Sequence, residues 1–169
     1  EVAGVSPGSL YQYFPDKAAL VAEIVERMSE RELAFHLERF ARIAEDAPLD
    51  VVLDEVVRSI LAFQRQEGPL MREALKALAD LGRYAVLAAR TAQAAASLRA
   101  MLEARRAEIP HPDLDLATHV LANAIHSLTH DGALPRPASL DDETLAREIG
   151  RLARGYLGLP APIAERSPR

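Results

Sequence analysis

The sequence predicts an all-α protein, and three observations lead to this prediction. Alanine, leucine, glutamate and arginine dominate the composition, and all four are good helix formers. Apolar residues recur at helical spacing in several segments, whereas no segment alternates convincingly with period two as a half-buried strand would. Glycine and proline cluster at a few breaks between those segments. A chain of 169 residues has room for one sizeable domain and a small second one.

The breaks divide the first part of the chain into a short and a long helix. Ser6 is a good N-cap and Pro7 suits the first helical position, so a short helix is expected over about residues 7–13. Pro15 ends it, and Asp16 is placed to cap the next helix. The apolar stripe of that helix continues to about residue 44.

Further breaks predict the remaining helices. A helix follows Pro48, and Gly68-Pro69 is expected to separate it from a short helix that ends at a bend near Gly82. Two more helices are expected over about 84–108 and 113–131. Ser139 with Asp142 resembles a capping box that opens a last helix, and the segment 159–169 is expected to be a flexible tail.

Several function classes are disfavoured by composition. Without cysteine there is no disulfide, zinc–thiolate site or thiol nucleophile. No apolar run approaches the roughly 20 residues that span a bilayer, and no signal peptide is visible, so a cytoplasmic protein without a membrane partner is expected. The net charge of −5 argues against a protein that coats nucleic acid generally, but not against a local DNA-binding surface. No nucleophile elbow, phosphate-binding loop or metalloprotease motif is present, so neither enzyme activity nor a cofactor is expected.

The segment 2–20, VAGVSPGSLYQYFPDKAAL, carries the most specific pattern. It resembles the second half of the helix-turn-helix of the TetR family, in which a Gly-Val-Ser turn precedes a short recognition helix. The residues in register are Ala3, Gly4, Val5, Ser6, Leu10, Tyr11, Tyr13, Phe14, Lys17 and Leu20. The glycine allows a sharp turn between helices, and the free N–H groups at the start of the short helix suit a phosphate.

The resemblance implies a TetR-like fold in which residues 1–17 are the C-terminal part of a DNA-binding domain. Tyr11 and Gln12 would project into the major groove of double-stranded operator DNA, where glutamine pairs with adenine. The implied DNA-binding residues are Ser6, Pro7, Gly8, Ser9, Tyr11, Gln12, Tyr13 and Lys17. The alternative is an aromatic corner of a helical core. The family has one helix and most of another before this point, so operator binding is expected to need that part.

By the same resemblance, residues 18–158 form a helical effector-binding and dimerisation domain. The middle helices would surround a pocket for a small apolar or amphipathic effector. The candidate lining residues are Phe35, Val57, Ile60, Phe63, Met71, Leu75, Leu78, Leu98 and Met101, together with Phe40. From sequence alone, each of these residues is more often plain core than pocket wall.

The last two long helices are predicted to form a homodimer interface. The last helix carries a stripe of mostly small residues, Ala146, Gly150, Ala153 and Leu157, which would let another helix approach closely. The preceding helix carries a polar stripe of His119, Asn123, His126 and His130. The alternatives are that the small stripe packs inside the monomer, and that the histidines bind a metal or respond to pH. No metal is predicted, since the only carboxylates near that helix lie at its ends.

The function that the resemblance implies is a transcriptional regulator, a repressor in the family's usual mode. A dimer would bind the operator and an effector would release it. A helical dimeric scaffold without effector is the alternative.

Overall fold

The described part of the chain is helical throughout its regular structure. The structure, a computed structural model, describes residues 13–43, 46–130, 137 and 140–160. Its helices are α1 (Lys17–Phe40), α2 (Leu49–Asp80), α3 (Tyr84–Ala104), α4 (Leu114–Thr129) and α5 (Asp142–Leu157), with a 3₁₀ turn at Arg106–Glu108. The predicted all-α class is confirmed. No helix within the described ranges is both long and apolar enough to cross a membrane.

Aspartates cap the first turns of three of these helices: Asp16 for α1, Asp113 for α4 and Asp141 for α5. The carboxylate of Asp16 accepts a hydrogen bond from the backbone N–H of Ala19 at 2.7 Å, as the sequence predicted for the start of α1. Asp141 does the same for Thr144 at 2.7 Å, so α5 begins at Asp142. The predicted capping box at Ser139 is therefore wrong, because the aspartate two residues later already caps the helix; Ser139 itself lies outside the described residues.

The predicted break at Gly68-Pro69 is also wrong. Residues 49–80 form one continuous helix that carries Pro69 in its interior. A proline there removes one backbone hydrogen bond and crowds the preceding turn, which disfavours the helix locally. The helix continues because both sides of the proline are held by packing: Phe63 is buried before it, and Met71 and Leu78 are buried after it. The bend predicted at Gly82 is confirmed, since this residue has a φ of 71° just beyond the helix end.

Helix α2 joins two hydrophobic cores. Its first half contributes to a large core with α3, α4 and α5, whose buried members include Leu53, Leu102, Leu121 and Ile149. Its second half packs against α1 and forms a small core of Val21, Val25, Met28, Met71, Ala74 and Leu78. The two cores share no buried residue.

Candidate functional site

The start of α1 carries the described end of the predicted DNA-binding segment. Tyr13 is 80% exposed, and Lys17 is exposed at the first position of the helix. Both are therefore accessible to a backbone phosphate of DNA. The other residues predicted to contact DNA lie outside the described residues: Ser6, Pro7, Gly8, Ser9, Tyr11 and Gln12. Their contacts stay predictions, as do the limits of the recognition helix.

Helix α1 connects this segment to the interior of the protein. Val21, Val25 and Met28 lie one turn apart and are buried against α2. Further along the same helix, His36 contacts Ser59 of α2. A shift of α1 would therefore move both its exposed start and these interior contacts.

The predicted pocket residues are distributed over both cores. Val57 is a member of the large core, and Ile60, Leu98 and Met101 pack against it. Met71 and Leu78 belong to the small core, and Leu75 packs against that one. The remaining pair, Phe35 and Phe63, contact each other with ring centroids 5.6 Å apart. The nine candidates thus do not form one continuous cluster, and which of them contacts an effector stays a prediction.

Polar side chains lie beside this aromatic pair. The Nδ1 atom of His36 is 2.5 Å from the hydroxyl of Ser59, which is completely buried. The rings of Phe63 and Phe40 are 6.1 and 6.2 Å from the His36 ring. A buried hydroxyl needs a hydrogen-bond partner, and the imidazole supplies one here.

An ion pair joins α1 to α3 at the same place. The guanidinium of Arg90 donates to Glu32 at 2.6 Å and to the hydroxyl of Ser29 at 2.7 Å. Burial opposes ionisation of Glu32, but the His36 ring, whose Nε2 atom lies 3.8 Å from the carboxylate, and the guanidinium of Arg90 outweigh it. Together they hold the pKa of this carboxyl below its usual range. Glu32 is therefore an anion at neutral pH.

The end of α4 adds a histidine and a glutamine partner. The Nε2 atom of His130 lies 2.6 Å from the side-chain nitrogen of Gln64. Its Nδ1 atom lies 3.1 Å from the carbonyl oxygen of His126. This arrangement fits a neutral ring that accepts at Nε2 and donates at Nδ1. Burial, and next the neighbouring His126, lower the pKa of His130 to about 4, while Glu32 and Arg90 also act on it electrostatically.

We call these six side chains the polar cluster: Glu32, His36, Ser59, Gln64, Arg90 and His130. Only His130 among them was predicted from the sequence as a candidate site residue. A signal for Arg90 was present, since it is the sole charged residue from Tyr84 to Leu98. Glu32 and His36 are four residues apart on one helix, which brings their side chains together. Nothing in the sequence indicated that Ser59 or Gln64 would face them across helices.

Two open hollows of about 400 and 380 Å³ lie on the surface of the described region. The first follows α1 and is lined by Ile24, Arg27, Met28, Glu30 and Arg31. The second lies between α4 and α5 and is lined by Leu128, Leu145, Glu148, Ile149, Arg151 and Leu152. Neither contains a predicted pocket residue. Within the described ranges, no group of three or more His, Cys, Asp or Glu side chains is arranged to hold a metal ion.

The predicted dimer residues of α5 point inwards. Ala146, Gly150, Ala153 and Leu157 are buried within the monomer, three of them in the large core. The prediction that this small stripe meets a partner is therefore wrong. Small residues permit close packing on either side of a helix, and α5 uses them against α2, where Gly150 faces Asp54.

The polar stripe predicted on α4 lies mostly at the surface. His119, Asn123 and His126 are exposed and accessible to a partner. His130 is half-buried through its contact with Gln64. The outer surface of the two helices carries leucines and not the small stripe. Leu128 and Leu152 are 42% and 45% exposed and line the hollow between α4 and α5.

Comparison with known protein families identifies both parts of the chain. Residues 48–157 match the family described as tetracyclin repressor-like, C-terminal domain, and residues 1–24 match the bacterial regulatory proteins of the tetR family. No curated protein matches the chain. The first match covers more than half of the chain, and the second covers the segment in which the helix-turn-helix pattern was found. The chain belongs to the TetR family of helix-turn-helix transcriptional regulators.

Proposed function

We propose that this regulator is a repressor that binds operator DNA as a dimer and is released by a small amphipathic effector. The observation that carries the proposal is the course of α1. This helix begins directly after the DNA-binding segment, and its last turns contact Ser59 of α2 and Arg90 of α3. An effector that rearranges these contacts would move the start of α1.

Such a movement would act through the spacing of two recognition helices. A dimer of this kind reads two half-sites about one DNA turn, roughly 34 Å, apart. An effector that binds better to a wrongly spaced state lowers the population that fits the operator. The proposed site of action is the chromosome, and the proposed location is accordingly the cytoplasm.

The proposed dimer surface is the outer face of α4 and α5 around their shared hollow. Exposed leucines at 128 and 152 supply apolar area, and Glu148 and Arg151 line the same hollow as polar groups. A two-fold axis across this face would build a four-helix interface. The support is the family membership together with an apolar outer face on the last two helices.

The test is a fluorescence-anisotropy titration of the complete gene product against DNA flanking its own gene, at two salt concentrations. Tight, salt-sensitive and sequence-selective binding is expected, and Tyr11→Ala should remove the selectivity. A Tyr84→Ala variant, which removes an exposed tyrosine far along the chain, serves as the matched control. Weak binding that is equal for any DNA and unaffected by Tyr11→Ala would favour the scaffold instead.

A further inference from the structure

The polar cluster lies between the two hydrophobic cores. Ser59 is flanked on α2 by Val57 and Leu61 of the large core, while Glu32 follows Met28 of the small core by one turn of α1. Phe35 and Phe63, which contact each other, belong to neither core and lie next to His36 of the cluster. Charged groups among apolar helices cost free energy unless they are paired, and even a paired charge adds little net stability there. We therefore expect the cluster to have a role other than stabilising the fold.

Arg90 supplies the strongest hydrogen-bond donor of the polar cluster. Glu32 is its only acidic side chain. Against it stands Arg90, whose guanidinium has five N–H groups and no acceptor. The contacts of Arg90 to Glu32 and Ser29 each use a single nitrogen, so the guanidinium is not engaged in a bidentate pair. The guanidinium of Arg90 is therefore suited to an acceptor-rich anion, and a carboxylate matches the fork of an arginine.

Apolar side chains on both sides indicate the rest of the ligand. The rings of Phe35 and Phe63 lie next to His36. On α3, Val86 packs against the small core and Leu98 packs against the large core, one on each side of Arg90 along the helix. A molecule held by its carboxylate at Arg90 would place an aliphatic or aromatic body among these side chains.

The first part of α3 is loosely held. Among the described side chains of residues 84–101 none is buried, and Arg90 provides the ion pair that joins this stretch to α1. A segment with few buried apolar contacts opens at low free-energy cost. The seam between α1 and α3 is therefore the natural entry for a ligand, and Arg90 and Glu32 on its two sides are about one-fifth exposed.

We propose that the polar cluster is the effector site of this regulator and that it binds the carboxylate of a small amphipathic acid, with Arg90 as the anchor. The inference rests on the proposed effector-controlled repression and names the chemistry of the effector. The incoming carboxylate takes over the N–H groups that Arg90 now gives to Glu32 and Ser29. Loss of these contacts frees α1 from α3 and lets the DNA-binding end of α1 shift.

The test uses isothermal titration of the complete gene product with two acids, octanoate and 4-phenylbutyrate. Each acid is compared with the alcohol and the amine of the same carbon skeleton. At least one acid is expected to bind, and to bind more tightly than its alcohol and amine. Arg90→Gln should weaken binding at least about tenfold, because a charge-assisted hydrogen bond is lost. Arg99→Gln, on the same helix but paired with Asp115 and Glu103 at the surface, should leave affinity unchanged.

A second variant separates a lost contact from a lost fold. Glu32→Gln removes the carboxylate that competes for Arg90, so acids should bind it several-fold more tightly than they bind the wild type. Misfolding does not produce such a gain. The proposal is overturned if neither acid binds better than its alcohol, or if Arg90→Gln and Arg99→Gln behave alike. Operator binding in the same preparation, without selective binding of acids, would overturn this inference alone; acid binding without operator binding would overturn the proposed repression.

Discussion

At the scale of single residues, Gly150 offers a direct test of how α5 packs. A Cβ atom at this position would lie 2.0 Å from Oδ1 of Asp54, which now accepts a hydrogen bond from Arg154 at 2.9 Å. Gly150→Ala should therefore displace this half-buried ion pair. The loss of a charged hydrogen bond exceeds the gain in helix propensity, which leaves a net destabilisation of about 1 kcal/mol.

The matched control for this prediction is Gly155→Ala in the same helix. Nothing lies within 4 Å of a Cβ atom there, so only the helix propensity changes and the protein should gain about 0.5–1 kcal/mol. Urea unfolding of both variants measures the difference. If Gly150→Ala were as stabilising as Gly155→Ala, Gly150 would not be packed against Asp54.

The same glycine shows what a sequence pattern leaves undetermined. The spacing of Ala146, Gly150 and Ala153 correctly predicted a face of α5 that another helix approaches closely. It did not indicate whether that helix belongs to the same chain, because close packing needs the same small residues in both cases. The sequence likewise leaves the polar cluster undetermined. Its members are separated by up to 98 positions, and only the packing of four helices brings them together.

At the scale of helices, α2 shows how packing overrides a local break. Pro69 is exposed in the helix interior, where no N–H is available for the carbonyl one turn earlier. Pro69→Ala restores that hydrogen bond and should stabilise the protein by about 1–3 kcal/mol. Thermal unfolding followed by circular dichroism measures the effect.

Pro48→Ala is the control for Pro69→Ala. Pro48 precedes the first residue of the same helix and is also exposed, but its missing N–H costs no helical hydrogen bond. Its replacement should leave stability unchanged or lower it slightly, since alanine makes the unfolded chain more flexible. A loss of stability in Pro69→Ala would mean that the two cores need the distortion that the proline imposes.

Two helix boundaries followed the sequence because local chemistry decided them, although the cap of α5 was placed two residues too early. Asp16 and Gly82 were placed correctly because an aspartate cap and a left-handed glycine are local features. The Gly68-Pro69 prediction failed because the burial of Met71 and Leu78 is a property of the whole packed molecule. A proline inside a helix costs about 3 kcal/mol, and several buried side chains together outweigh that amount.

At the scale of the whole molecule, the outer face of α4 and α5 is the proposed dimer interface. The sequence predicted that these helices pair with a second chain, and the structure places exposed leucines at 128 and 152 on their outer surface. Leu152→Lys puts a charge in the middle of the proposed interface. In the monomer the new lysine lies four residues after Glu148, a favourable pairing on a helix, so the fold should be retained.

The dimer should nevertheless dissociate, because an unpaired charge buried at an interface costs several kcal/mol. Sedimentation velocity is expected to show the dissociation constant rising at least about 100-fold, with an unchanged melting temperature for the monomer. Leu33→Lys, which replaces an exposed leucine of α1, should leave the dimer intact. Operator affinity should fall only in Leu152→Lys, since two half-sites are read together only by two linked recognition helices. Dissociation by Leu33→Lys instead would place the partner on α1. The spacing of the recognition helices would then depend directly on the helix that carries Glu32 and His36 of the polar cluster.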